Sequence, residues 1–456
     1  MSPTGAVDRS GAGSGTDRSP EVDVIVVGAG FAGVVAAREV DALGLSSMIL
    51  EARGRIGGRT WLRADAIRGR ALEMGGTWID PRQTESWGEA QRYGAVVGEP
   101  VRGAPPTAWL IEGRSQLGPF PVPAEQLGQL ERLVRRLGTD ADRIDPGVAL
   151  AGQQVSDLDV PLNEYISMFG VPHDVASAGS IYLSMYGSAP PHDVSALHIL
   201  RRISAAGSLA EFVMSGASHP LVGGTGALLA AILSDAHVPV RLGTPVSRIV
   251  QTDTQVTVVT QHTELTSRAA ILTIPVNTWK DIVFDPPLSR EKQRLSEEEL
   301  ACRGFKVWLL AEGIPVGFSA CGDAGPFGML WTEDTFDDGA SLLVAYGNEA
   351  AAIDITDRDQ LNEALRAYVP EARVLDSAGH DWRRDRWSQE TWAVFRPGQL
   401  TAYEAAMRSP EGRIAFGGSA TALRWPGFID GAIESGKRAA HEAARLVSQG
   451  FITAEP

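Results

Sequence analysis

Three glycines, Gly28, Gly30 and Gly33, stand in the run VGAGFAG, and Glu51 follows Gly28 by 23 positions. Gly28 permits a tight turn, Gly30 lets the main chain approach a pyrophosphate, and Gly33 lets a helix lie close on a strand. The unpaired N–H groups at a helix start favour an anion, and a carboxylate at this remove accepts from ribose hydroxyls. The chemistry indicated is dinucleotide binding, and the motif by itself leaves NAD and FAD open. RIGGRTW follows over residues 55–61, placing two glycines between arginines where an NAD-binding unit has no obvious need for them. A third feature is Lys306 in GFKVWLL. There Phe305, Val307 and Leu309 share one strand face while Lys306, Trp308 and Leu310 share the other, and a lysine in such a run is rarely buried without a partner.

The elements that must hold these residues are legible around them. VDVIVVG, from Val22, is a β-branched run of the kind that makes a buried parallel strand. Phe31 to Leu43 carries apolar residues at helical spacing and stops at Gly44, and SSMIL is a second strand that delivers Glu51, completing a βαβ unit. From about 101 to 216 the pattern turns helical, including LERLVRRLG and LHILRRISAAGSLAEFVM. Strand-rich sequence returns with PVRLGTPVSRIVQTDTQVTVVT and AAILTIP, and after Asp281 come a helix, the strands FKVWLL and SLLVAYG, and the helix LNEALRAYV. RIAFGGS turns into a glycine-rich loop, and the segment from Phe428 makes a long amphipathic helix.

The 456 residues carry ordinary globular composition and a net charge of −15, which argues against nucleic acid and anionic membrane as partners. Two cysteines make no disulfide framework, so a reducing cytoplasm is the expected compartment. Residues 1–20 read as a disordered polar tail rather than a secretory signal, and no apolar run is long enough to span a bilayer. The eight histidines show no metal-ligand spacing, so no metal is expected.

With these motifs in view the chain resembles the flavin-containing amine oxidases of the monoamine oxidase superfamily, over essentially everything from Val22 to the final helix. The resemblance rests on VGAGFAG, LEARGRIGGRTW, EMGGTWID, the lysine of FKVWLL, DRWSQETW and GGSATALRWPGFIDGAIESGKRAA. Around TWID and WGEAQRYG it is similar to the bacterial branch acting on cyclic and alkyl amines and nicotine-like compounds. The implied fold is α/β: a Rossmann-like FAD-binding domain (21–97, 219–280 and 397–448) interleaved with an α+β substrate-binding domain (98–218 and 281–396), the amine oxidase or p-hydroxybenzoate hydroxylase-like fold.

The resemblance implies FAD, and it answers what RIGGRTW is for: Gly57 and Gly58 let the loop pass close to the pyrophosphate, with Arg53 and Arg59 supplying fixed charge. It places Gly28, Gly30, Phe31, Ala32, Gly33, Glu51, Ala52, Val246, Trp387, Gly418, Ser419 and Ile429 against the cofactor, and Gly75, Gly76, Thr77 and Trp78 beside its flat ring. Lys306 is implied to hold a water at flavin N5, and Trp392 and Phe428 to flank the substrate amine. Tyr182, Met185, Tyr186, Phe212, Met214 and Trp331 match pocket-wall positions and suit a hydrophobic, cyclic or arylalkyl amine. DRWSQETWA lacks the cysteine that bonds flavin in the mammalian enzymes, so FAD is expected to be noncovalent; Ala420 stands where an acidic residue is common. The implied reaction passes a hydride from the carbon beside nitrogen to flavin N5, and the imine hydrolyses to an aldehyde or ketone. The acceptor, O2 or a carrier protein, stays open, as does oligomeric state, a homodimer being common in such enzymes. One rival is an L-amino-acid oxidase, which needs an arginine on the substrate carboxylate, with Arg424 as candidate. Others are a desaturase of terpenoids or carotenoids, against which Lys306 and Trp392 speak, and a non-catalytic or complex-bound flavoprotein.

Overall fold

The computed structural model describes residues 20–100, 107–215, 218–323 and 325–449, without the side chains of 214 and 215. Apart from Pro20, the expected tail lies outside the described residues.

The strand Val22–Val27 runs parallel between Ser47–Leu50 and Glu264–Leu272, with Val24 opposite Ser47 on one side and Ala269 on the other. Its run from Val24 to Val27 is buried because it is sandwiched between layers, and β-branched side chains suit that setting. The helix Phe31–Ala42 follows, and the last helix, Ile429–Gln449, packs along it. Gly436 makes that approach possible, since a Cβ there would collide with the carbonyl of Ala32. The sheet has eight strands among the described residues. Val240–Arg241 continues it beyond Ser47–Leu50. On the other flank come Val256–Thr260, Val246–Gln251 and Val283–Asp285, and Ile414–Phe416 pairs with Glu264–Leu272. Val283–Asp285 thus joins this sheet, so the division expected at 280 falls one strand early.

A second sheet runs in the order Arg373–Gly379, Phe305–Glu312, Ser341–Gly347, Met329–Thr335, Ser319–Gly322, Ala108–Ile111, Arg114–Leu117. The outermost pair lies inside the stretch read as helical, where short alternating strands between turns leave little signal. The rest of that stretch is helical: Leu127–Ala141, His173–Met185, Ala196–Ala206 and Leu209–Ser215. Gly207, at φ 91°, ends the third of these, so LHILRRISAAGSLAEFVM is two helices with a left-handed turn between them. No helix among the described residues is long and apolar enough to cross a membrane.

Candidate active site

A cavity of about 1400 Å³ runs from the first glycine turn to the space between the second sheet and the helices. At one end the first helix begins at Gly30 without a side-chain cap, and Gly28, Gly30, Phe31 and Ala32 line the cavity there. The first amides of the helix are therefore available to an anion, while the N–H of Gly28 is taken by the Leu50 carbonyl. Gly28 has φ 106°, a conformation that favours glycine. Gly33 does not line the cavity; a Cβ on it would collide with the carbonyl of Gly28, so its part is to let helix and strand touch. Glu51 is buried and accepts from the N–H of Ala29 (2.8 Å) and of Arg53 (2.8 Å), which fixes its carboxylate with lone pairs to spare. Ala52, Val246, Trp387 and Gly418 complete this end.

The loop that follows is held from within. Arg55 donates to the carbonyls of Ile56, Gly58 and Thr60, and its guanidinium lies 4.9 Å from the Trp61 ring. Arg53 donates to Asp385 (2.6 Å) and Ser388 (2.8 Å), and Asp385 also bonds His380. These contacts hold the Asp385 carboxyl well below its usual range despite partial burial. Arg59 donates to the fully buried Glu390 (2.7 Å) and to Ser419 (3.1 Å). Both arginines, Gly58 and Ser419 line the cavity. Each arginine is aimed by a carboxylate from the 385–390 loop, which sequence spacing could not pair with residues 53 and 59.

Gly75, Gly76, Thr77 and Trp78 form the next stretch of wall. Lys306 faces them: its Nζ donates to Thr77 Oγ1 (2.7 Å) and Gly75 O (3.3 Å) and lies 5.0 Å from the Trp78 ring. Among the described residues no carboxylate is within ion-pair distance of it. Burial pulls its pKa down to about 7, with Glu73 and Glu333 opposing. A lysine poised near neutrality can hold a water or take a proton from it.

Across the cavity Trp392 and Phe428 meet edge to face, centroids 5.0 Å apart. Gly427, at φ 91°, brings them together, because a Cβ there would lie 2.5 Å from Trp392 Cδ1. Ile429 lines the cavity beside them. Tyr182, Met185, Tyr186 and Trp331 form the far wall, while Phe212 lies behind Tyr186, centroids 4.9 Å apart, and off the wall. That corrects its expected place: it supports the tyrosine and does not touch the cavity. Met214 lies outside the described side chains. Tyr346, absent from the sequence reading, lines the cavity with its ring stacked on Trp331 at 5.4 Å; alternation on its strand was the available signal. Arg202 was missed too, and only packing reveals its place under the Trp392–Phe428 pair. Glu51 and Asp281 are the carboxylate residues among the described lining. Arg424 is exposed and off the cavity, so it supplies no seat for a substrate carboxylate.

A family model described as flavin containing amine oxidoreductase matches residues 31–444. Pseudooxynicotine dehydrogenase from Pseudomonas sp is 31% identical, over 93% of this chain and 86% of the relative. (S)-6-hydroxynicotine oxidase from Paenarthrobacter nicotinovorans is 31% identical, over 91% of this chain and 97% of its own length. Among solved structures, putrescine oxidase bound to putrescine superposes with a TM-score of 0.82 at 24% identity, covering 93% of this chain and 99% of that one. Cyclohexylamine oxidase from Brevibacterium oxydans gives 0.79 at 22%, covering 94% and 99%. At these identities the two superpositions speak for the fold.

Proposed function

The chain belongs to the flavin-containing amine oxidoreductases, and from that premise we propose that it oxidises a hydrophobic cyclic or arylalkyl monoamine. It is an oxidoreductase acting on amines, with FAD as cofactor. The residues present fit that cofactor: an uncapped helix start for the pyrophosphate, Glu51 for the ribose, Arg53 and Arg59 along the loop, and the stretch Gly75–Trp78 along the cavity wall beyond them. Residues 386–392 contain no cysteine, which supports noncovalent binding. Bound FAD supplies the two-electron acceptor for the C–H bond beside nitrogen, and the imine left behind is hydrolysed to a carbonyl compound.

The chain's own residues do the rest. Trp392 and Phe428 flank the amine and keep water from it, and Lys306 with Thr77 orients a water on the opposite side. The observation that carries the substrate class is the wall itself: tyrosines, a methionine and Trp331, with the described carboxylates of the lining confined to Glu51 and Asp281. The carboxylate nearest that wall, Glu333, is engaged by the indole N–H of Trp331 (3.0 Å), so a second ammonium group would compete with that bond for its only nearby partner among the described residues. The names of the relatives, which concern nicotine derivatives, support a ring-bearing amine. We assign the interleaved division into a cofactor domain and a substrate domain, a cytoplasmic location in keeping with two free buried cysteines, and O2 or a carrier protein as acceptor, in a monomer or homodimer. Anaerobic mixing of the purified protein with a panel of amines and amino acids, following visible flavin absorption, tests the reading. Bleaching by cyclic or arylalkyl amines supports it; bleaching by amino acids alone overturns it.

A further inference from the structure

Arg202 is fully buried on the helix Ala196–Ala206, yet its guanidinium has no carboxylate within 4.0 Å among the described residues. Its neighbour Arg201, equally buried, has Glu404 at 3.0 Å. Arg202 donates to three carbonyls instead: Tyr186 (2.7 Å), Ala393 (3.1 Å) and Pro426 (3.0 Å). Each belongs to a residue that is, or lies within two positions of, a cavity aromatic: Tyr186, Trp392 and Phe428. The guanidinium carbon lies 4.6 Å from the Trp392 centroid and 5.1 Å from that of Phe428. Both rings line the cavity and Arg202 does not, so the cation sits behind the pair.

We infer that Arg202 is a specificity-determining positioning residue: an uncompensated cation behind Trp392 and Phe428 makes the pocket accept the free amine and reject the ammonium. This rests on the reading that the two rings flank the substrate nitrogen. Aromatic cages ordinarily attract ammonium groups through the negative faces of their rings. Here those rings already serve a cation from the rear, and because Arg202 is fully buried its field is screened less than that of a surface charge. The ionisable groups around Arg202 do not cancel it. Burial raises the pKa of Cys302, whose sulfur accepts from the main-chain N–H of Trp392 (3.1 Å), and of Tyr186, and depresses that of His198, so all three are neutral. Lys306, on another wall of the same cavity, adds no negative charge. Burial brings Arg202 itself down to about 9, so it stays charged through the neutral range.

The test uses the holoenzyme and two redox-inert probes of one shape: benzyltrimethylammonium and its neutral carbon isostere, neopentylbenzene. Their dissociation constants are read from the visible flavin spectrum between pH 6 and 8.5. The wild type is expected to bind the neutral probe at least about tenfold more tightly. Arg202→Gln should bring that ratio towards one, while Arg202→Lys, which keeps the charge and loses the fork, should preserve it. Equal or tighter binding of the cation by wild type overturns the inference, whether or not the variants fold. So does an unchanged ratio in Arg202→Gln. If no amine bleaches the flavin and neither probe perturbs it, the amine-oxidase reading fails; if amines bleach it and only the ratio is flat, Arg202 alone is misassigned.

Discussion

Lys306 is buried against Thr77, Trp78 and Trp308, and a methionine there would leave no ammonium to desolvate. Its folded pKa, about 7, lies below the ordinary 10.5, so between those values the unfolded chain holds the extra proton and stability rises with pH. Lys306→Met is therefore expected to unfold a few degrees above wild type near pH 6. The gap should narrow as pH rises from about 7 towards 10.5, as scanning calorimetry would show; a gap independent of pH would count against the burial argument. The same variant should lose about tenfold or more in amine-dependent flavin turnover, with the bound-flavin spectrum retained, if the lysine handles a proton or water. Trp392→Ala removes one wall of the cage, and its anaerobic flavin reduction should slow by about ten- to a hundredfold, with Trp392→Phe between the two. Lys306 was legible because a charge in an apolar strand is conspicuous; Arg202 was not, since an arginine in an amphipathic helix looks solvated until its neighbours are known.

At the scale of elements, the first helix and the loop after Glu51 are set by close approaches that glycine permits. Gly33→Ala would drive a methyl into the Gly28 carbonyl and Gly75→Ala one into the Arg59 carbonyl. Each should purify with FAD depleted, measured as the ratio of visible to ultraviolet absorption, or fail to fold. The Arg59–Glu390 pair ties the pyrophosphate loop to the 385–390 loop with a fully buried carboxylate. Arg59→Ala strands that charge and is expected to cost about 3–5 kcal/mol in urea unfolding, more than the double variant with Glu390→Leu. A double variant no more stable than Arg59→Ala would rule this out. The βαβ unit, the helix from residue 429 and the strand at 305–312 were readable from periodicity and caps. The carboxylate partners of Arg53 and Arg59 were not, because they arrive from more than 330 positions away. Nor was the strand pair at 108–117, too short and too interrupted by turns to register.

For the whole molecule, the decisive property is a single cavity with cofactor determinants at one end and an aromatic wall at the other. Its superposition on putrescine oxidase speaks for the fold and leaves specificity to the lining. With Glu333, the carboxylate nearest the aromatic wall, taken up by the Trp331 indole, a cyclohexyl- or arylalkylamine should exceed putrescine in kcat/KM by about a hundredfold or more. Comparable values for the diamine would mean that Glu333 leaves Trp331 and receives the second ammonium group. The fold class was legible because its motifs are local; the composition of the wall was legible only as a set of large apolar residues, and Phe212 shows that such residues can stand one layer back.

The central strand Val22–Val27 has as one of its neighbours Glu264–Leu272, which in turn pairs with Ile414–Phe416. A ribosome making this chain thus releases the start of the nucleotide-binding sheet some 240 residues before that partner exists. The helix that packs over the first glycine turn comes later still. Until Glu264–Leu272 is made, the nascent protein carries an unpaired β-branched strand edge, which invites chaperone capture and aggregation. Yield in a heterologous host should therefore depend on chaperone supply and on how soon the vitamin-derived cofactor clamps the finished sheet.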